Sequence, residues 1–388
     1  MQKIFLFLLL ILIIPDIYIY KMFITRLTLS PLWRCLYFVP SLLLFIGLIY
    51  IAFFAGNHLA DEKSRWIGWF TVTYMLFAFP KLLFFACSLL DLPLKFLLKW
   101  NGMPFSYLGI ALGIACAGIV LFGAIWGKTK FDVKEVVFRS PEIPKSFNGY
   151  KIIQLSDIHI GSWVGNEKAM EKAIDIINKQ DADLVVFTGD LINHRAVELN
   201  GFENTLSRIK AKDGIYSILG NHDYGPYYQW NSKQDQANNL IELKEREARM
   251  GWKLLNNEHV FIRHGNDSIA LIGVENEGEP PFSQHGDLKG AMKGTENTAF
   301  KLLLSHNPTH WKREVLSTDI QLMLAGHTHA MQLAFGQHSP SSWVYPQWKG
   351  MYEQDGKYLY VNVGLGFVGM PFRFGAWPEI TVITLQSE

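Results

Sequence analysis

Cysteine is scarce: Cys35, Cys87 and Cys116 are the only three in 388 residues, and all fall in the apolar first part of the chain. No disulfide framework or thiolate metal site is readable from them, so any metal chemistry has to use nitrogen and oxygen ligands. Net charge is nearly lacking too, at +1. Without a basic footprint, nucleic acid is not an expected partner. Charge of either sign almost vanishes from four stretches, Ile4–Ile19, Leu36–Phe54, Ile67–Leu90 and Tyr107–Trp126. Each approaches the ~20 residues that a spanning helix needs, so residues 1–127 are read as a membrane region of four helices in a multi-pass protein of the cell membrane.

The first stretch contains Pro15 and Asp16, but no small-residue cleavage site follows it, which favours a span over a signal peptide. Lys81, beside Pro80 in the third, is read as a snorkelling or bundle-facing lysine at a kink. Apart from Lys81 the spans are expected to lack the paired intramembrane charges of an ion path, which argues against a channel or transporter. Lys and Arg nearly balance across the two sets of loops, so the side on which the rest of the chain lies is left unassigned.

Polar residues return at Lys128. Residues 128–149, with Val133, Val136 and Phe138 followed by Pro141 and Pro144, are read as a linker and edge strand. From Tyr150 onward, short apolar runs end repeatedly in acids, amides and imidazoles. Tyr150–Leu155 leads to Asp157 and His159, Leu184–Phe187 to Asp190, and Ile215–Leu219 to Asn221, His222 and Asp223. Lys301–Leu304 leads to His306, and Ile320–Leu324 to His327 and His329. Helical spacing marks Glu167–Lys179, Phe202–Ile209 and Gln234–Met250, whereas Trp252–Gly273 reads as hairpins turning at Asn256–Asn257 and Gly265–Asp267. Open α/β sheets place their chemistry at strand ends, and residues two apart, such as Asp157 and His159, point the same way from an extended backbone.

The five strand ends carry DxH, GD, GNHD, SH and GHTH in that order. This series resembles the signature of the calcineurin-like metallophosphoesterases from about Tyr150 to Leu385, and the layout is similar to that of transmembrane proteins with a metallophosphoesterase domain. The resemblance implies an α-helical membrane region followed by an α/β domain over residues 150–388, an αββα sandwich of mixed sheets. It also implies two divalent ions, Mn, Fe or Zn. By that likeness Asp190 bridges the ions, Asp157, His159 and His329 complete the first, and Asn221, His306 and His327 complete the second. His222 is implied as the group that contacts the phosphate and protonates or stabilises the leaving oxygen, oriented by Asp223. The chemistry agrees, because phosphoester hydrolysis needs charge neutralised on the nonbridging oxygens and a hydroxide near neutral pH, both supplied by two metals ~3.5–4 Å apart.

The expected function is therefore a membrane-anchored hydrolase that cleaves a phosphomonoester, phosphodiester or pyrophosphate by metal-bound hydroxide attack. The alternative is a membrane protein that senses a phosphate ligand without turnover. His194 is read as lining the pocket. Arg373 is read as gripping a substrate phosphate bidentately, with a structural ion pair as the competing role. Two aromatic clusters, Tyr224, Tyr227, Tyr228 and Trp230, then Trp343, Tyr345, Trp348 and Tyr352, are expected near the metal mouth. Such residues settle at headgroup depth. Together with the short linker, they raise the expectation of a phospholipid or lipid-linked substrate. His259, His264, His285, His310 and His338 are read as surface or loop residues.

Overall fold

The computed structural model describes residues 2–53, 61–280 and 282–388, the side chains of 2–4 and 61–64 excepted. Phe54, the end of the second expected span, lies outside the described residues, as does His58. The chain divides into two units, Met1–Trp126 with Gly369–Phe372, and Gly127–Val368 with Arg373–Glu388.

In the first unit four helical segments, Phe5–Arg26, Pro31–Phe53, Arg65–Leu97 and Pro104–Thr129, are long and apolar enough to cross a bilayer. Their main helices are α1 (Gln2–Met22), α2 (Val39–Phe53), α3 (Asp61–Leu89) and α4 (Pro104–Ile125). Hydrophobicity cannot drive helices together in lipid, so close packing and polar contacts must. Gly109 and Gly113 supply the first: a Cβ on either would lie 2.9 Å from Phe84 Cα or 3.2 Å from Pro80 O, bringing α4 against α3.

Lys81 supplies the second, and here the sequence expectation is corrected. Lys81 Nζ lies 2.7 Å from Asp16 Oδ1 and donates to Ser41 Oγ at 2.7 Å. Tyr37 OH donates to the same Asp16 oxygen at 3.2 Å. Asp16, Ser41 and Lys81 lie near the middle of three different spans. The spans do therefore hold a paired intramembrane charge, and Asp16, the acid that interrupts the first apolar run, is the partner. An unpaired charge at that depth is costly, so pairing lets both residues stay there.

The second unit has strands β1 (Asp132–Ser140), β2 (Lys151–Leu155), β3 (Leu184–Phe187), β4 (Ile215–Ser217), β5 (Trp252–Leu254) and β6 (Glu258–His264). They continue as β7 (Asp267–Gly273), β8 (Lys301–Leu304), β9 (Leu322–Ala325), β10 (Gly350–Gln354), β11 (Lys357–Val361) and β12 (Glu379–Ser387). Two six-stranded sheets result, ordered β1-β12-β2-β3-β4-β5 and β10-β11-β9-β8-β7-β6. Both mix parallel with antiparallel pairs. The central strands β2, β3, β8 and β9 are largely apolar on both faces because both faces are covered. Ile152, Leu184, Leu302 and Leu324 meet between the sheets. Ile153, Val185 and Phe187 turn outward to Met170, Ala173, Ile174 and Ile177, which share one face of α5 (Glu167–Asn178). On the other side Ile272, Leu303 and Met323 pack with Leu288, Trp311 and Val315. The result is the expected αββα sandwich, in which β1 is the outer strand of its sheet.

Two local expectations change. Asn256–Asn257 is not a hairpin turn, because β5 pairs in parallel with β4 while β6 pairs with β7 in the other sheet, so this connection carries the chain across the sandwich. Conversely, β10 and β11 form a hairpin that sequence reasoning missed. Its signal was the Asp355–Gly356 pair, whose φ of 55° and 72° suits a two-residue hairpin turn.

Candidate metal centre

The loops after β2, β3, β4, β8 and β9 bring their polar groups into one place. Asp157, His159 and His329 form one group, and Asp190, His306 and His327 another, with the ligand atoms in each within 4.8 Å of one another. His159, Asp190 and His222 make a third such group. Asp190 connects them, its Oδ2 lying 3.6 Å from His159 Nε2 and 3.2 Å from His306 Nε2. His329 Nε2 is 3.2 Å from Asp157 Oδ1 and 3.0 Å from His159 Nε2, while His327 Nδ1 is 3.3 Å from His306 Nε2.

Burial and charge set the proton occupancy. Burial, with the imidazole of His222 beside it, holds His159 well below the ordinary histidine range, and burial with His306 pushes His327 down to about 3. Burial would raise the carboxyl of Asp190, but the imidazoles of His306 and His222 overrule it and hold the group well below the usual range. Burial opposes a proton on His306, yet the Asp190 carboxylate wins and pushes it up to about 9. Ionised carboxylates with neutral imidazoles are what cation ligation requires, and a cation would displace the His306 proton. Asn221 tests the fit independently. Its Oδ1 is buried with no hydrogen-bond partner among the described residues, while its Nδ2 donates to Tyr227 OH at 3.0 Å. Buried acceptors are rarely left unmatched, and a hard or borderline cation would complete this one.

The backbone is strained at this site. Asp157, His159, Asp190, His327 and His329 have φ of 52°, 47°, 62°, 73° and 48°, a conformation costing non-glycine residues ~1–3 kcal/mol each. Neighbouring contacts hold it in place. Gly220 packs so tightly on Asp190 that a Cβ would sit 2.2 Å from its Oδ1. The Asp223 carboxylate accepts from the N–H groups of Asp190 (2.8 Å), Leu191 (2.9 Å), Ile192 (3.2 Å) and Gly220 (2.8 Å). Asp223 is thus occupied by the backbone and does not orient His222, contrary to the sequence expectation. That task falls to the carbonyl of Asn193, 2.8 Å from His222 Nδ1, while His222 N–H donates to Asp190 Oδ1 at 2.8 Å.

Arg373 also differs from expectation. It is fully buried, and its guanidinium donates to the carbonyls of Gly366 (2.6 Å), Ala376 (2.9 Å) and Val363 (2.8 Å), with Nη2 3.1 Å from His329 Nδ1. Four of its five donors are spent on the chain and on a histidine of the site, and the group is buried among them, so it neither faces a substrate phosphate nor forms the structural ion pair. The His194 ring lies 6.2 Å from that of His222, and its backbone N–H donates to Glu198. A cleft of about 200 Å³ opens on the polar cluster, lined by Asp190, Asn221, His222, His327 and His329 together with Tyr227, Phe282, Tyr345 and Val368. Tyr345 OH is 3.0 Å from His327 Nε2. Of the aromatic clusters only Tyr227 and Tyr345 line this cleft; Trp348 is buried with Ala330, Ala334, Val363 and Ala376. Phe282 and Val368 carried no sequence signal. His310, expected near the surface, is fully buried between Ser305 Oγ and Glu314 Oε2, each 2.9 Å away.

Residues 150–331 match the family described as Calcineurin-like phosphoesterase, and residues 1–128 match one described as Probable Calcineurin-like phosphoesterase, transmembrane domain. The Uncharacterized metallophosphoesterase YkuE of Bacillus subtilis is 30% identical over 298 residues, covering 71% of this chain and 94% of that protein. The chain belongs to the calcineurin-like phosphoesterases. This phosphoesterase is also similar along most of its length to the Transmembrane protein with metallophosphoesterase domain of Danio rerio, 27% identical over 375 residues, with 92% of this chain and 80% of that one covered. It spans 55% of the Bos taurus protein of the same name, at 32% identity over 256 residues. It is a membrane-associated calcineurin-like phosphoesterase with clustered candidate metal ligands.

Proposed function

We propose that the chain is a metal-dependent phosphohydrolase that acts at the membrane in which it is anchored. Asp157, His159 and His329 would hold one divalent ion, and Asn221, His306 and His327 a second, with Asp190 shared. The observation that carries this reading is the Asp190 carboxylate, whose single Oδ2 faces an imidazole from each group. Bound there, two ions supply charge neutralisation for phosphoryl oxygens and a lowered pKa for water.

The chain's own residues do the rest. Asn193 O holds His222 by Nδ1, leaving the other ring nitrogen for the cleft, where a protonated ring presents an N–H to the leaving oxygen. Tyr345, against His327 Nε2, fixes the rotation of that ligand as outer partners of metal-bound histidines do. A 200 Å³ cleft is smaller than the usual ~300–1,000 Å³ ligand pocket. It accommodates a phosphoryl group and its first neighbours, and the remainder of the substrate extends past Phe282, Tyr227 and Val368. An apolar rim on a multi-pass protein favours a phospholipid or lipid-linked ester as substrate.

The test is turnover of the metal-loaded full chain in detergent on one panel: a monoester, a diester, a pyrophosphate and a phospholipid. Turnover of at least one is expected. His222→Ala is expected to lower it by roughly 10²–10⁴ with metal content unchanged. Loss of metal in that variant moves His222 into the ligand set. Phosphate binding without turnover of any substrate overturns the hydrolase in favour of a sensor.

A further inference from the structure

After His329 the chain runs through a long connection to β10. Its small or inward apolar residues, Ala330, Ala334 and Trp348, are buried with Val363 and Ala376. The others are not. Met331 is 40% exposed, Phe335 53%, Val344 59% and Trp343 86%. The remaining exposed large apolar side chains of this unit, Val137, Val164, Val197, Tyr227 and Ile241, are scattered, as on any soluble surface. Here four fall within fourteen residues. The segment is also folded on itself. The turns His329–Gln332 and Pro340–Trp343 pack together, Ser339 Oγ donates to Ala330 O at 2.7 Å, and Phe335 bridges His338. Exposed apolar side chains gathered on one self-folded segment are the kind of surface that marks an interaction site.

The unit itself indicates what covers the patch. Lys130 follows the last span by one residue, so covalent continuity keeps it at the bilayer surface. Its Nζ lies 4.3 Å over the Trp377 ring, Trp377 is 5.6 Å from Phe374, and Phe374 is 5.6 Å from Phe335. Backbone bonds tie the same two segments, Ala334 N–H to Phe374 O at 2.8 Å and Phe374 N–H to Gln332 O at 3.0 Å. Lys349 donates from Nζ to Gly336 O, next to Phe335 in the chain. Exposed Phe, Trp and Val flanked by lysines are matched by the headgroup layer of an anionic leaflet.

We propose that Met331–Val344 is an interfacial docking surface that sets Phe335, Trp343 and Val344 into the headgroup layer of an anionic leaflet, with Lys130 and Lys349 at the lipid phosphates. Tyr345, which lines the cleft and contacts His327, follows Val344 directly. Docking therefore presents the cleft mouth to headgroups. The surface stands whether or not the substrate is a lipid, and its test needs no turnover.

The full chain, with Cys35, Cys87 and Cys116 replaced by Ala, receives one cysteine at Trp343→Cys and, separately, at Asn266→Cys. Asn266 lies in the exposed β6–β7 turn next to His264, which contacts Phe147 and Tyr150 at the opposite end of β2 from Asp157. Each is labelled with an environment-sensitive fluorophore and reconstituted in phosphatidylcholine vesicles with and without phosphatidylglycerol. The label at 343 is expected to emit to the blue of the label at 266 and to be quenched at least twofold more by a lipid carrying a shallow spin label. That quenching is expected to weaken without phosphatidylglycerol. Equal emission and equal quenching at the two positions overturn the proposal. A blue shift that ignores the spin-labelled lipid and grows with protein density assigns the patch to a second copy of the chain, and overturns it as well.

Discussion

Asp223→Ala removes an acceptor that serves four backbone donors, the N–H groups of Asp190, Leu191, Ile192 and Gly220, all at 2.8–3.2 Å and all buried with it. Each orphaned buried donor costs about 1–3 kcal/mol, so even the low end amounts to roughly 4 kcal/mol, a large share of the ~5–15 kcal/mol that holds a domain together. The cost falls on strained backbone: Asp190 has φ 62°, and Gly220 is packed on its carboxylate. Release of that turn moves the shared ligand first. Asp223→Asn keeps one carbonyl oxygen for two of the donors and turns an amide against the others, so about half the cost is expected. Metal bound per chain, measured by elemental mass spectrometry after equal exposure to Mn²⁺, should fall in the order wild type, Asn, Ala, and the unfolding temperature should follow the same order. His222→Ala serves as the control that keeps its metal. An Asp223→Ala protein that is inactive yet fully metallated and as stable as wild type would refute the clamp and return Asp223 to the catalytic groups.

Three other outcomes are expected. Tyr345→Phe deletes the hydroxyl at His327 Nε2 and should lower metal affinity or turnover about 10–100-fold; unchanged values in both exclude it from the site. Glu247 is fully buried against Ser217 Oγ at 2.5 Å, and burial pushes its carboxyl up from 4.5 to about 8. An acid whose pKa rises on folding contributes its full stability below the unfolded value and loses it as pH climbs from about 4.5 through 8, at ~1.4 kcal/mol per unit. Glu247→Gln should accordingly narrow the gap in unfolding temperature between pH 5 and pH 9, and a gap of the same size removes Glu247 as its source. In the membrane unit Asp16→Leu or Lys81→Met alone strands a charge and should reduce the yield of folded protein in detergent, whereas the double variant restores it; a double variant worse than either single one contradicts the pairing.

The centre was legible in the sequence where chemistry coincides with an apolar run. A buried strand must end somewhere, and five such runs end in Asp, Asn or His, so the ligand types and their common sheet end follow from local pattern. Residues whose meaning depends on distant partners were not legible. Asp223 is next to His222 in sequence but bonds to backbone more than thirty residues earlier. Arg373 looks like a phosphate clamp until the carbonyls of Gly366, Val363 and Ala376 arrive around it. Lys81 looks unpaired because its acid is 65 residues away. For β10 and β11 the Asp355–Gly356 turn is a local signal, but the pairing it joins becomes specific only when β11 adds in parallel to the distant β9.

The distance between Asp16 and Lys81 also bears on how the protein is made. α1 leaves the ribosome before α3, carrying an acid at its centre that costs a lone helix about 2.5–3.5 kcal/mol to insert, and the cation that neutralises it belongs to α3. Insertion of the first span is therefore provisional until the third has been synthesised. A chain interrupted before Lys81 holds an uncompensated acid in lipid and is marked as unfinished by the same residue that, in the complete protein, fastens three helices together.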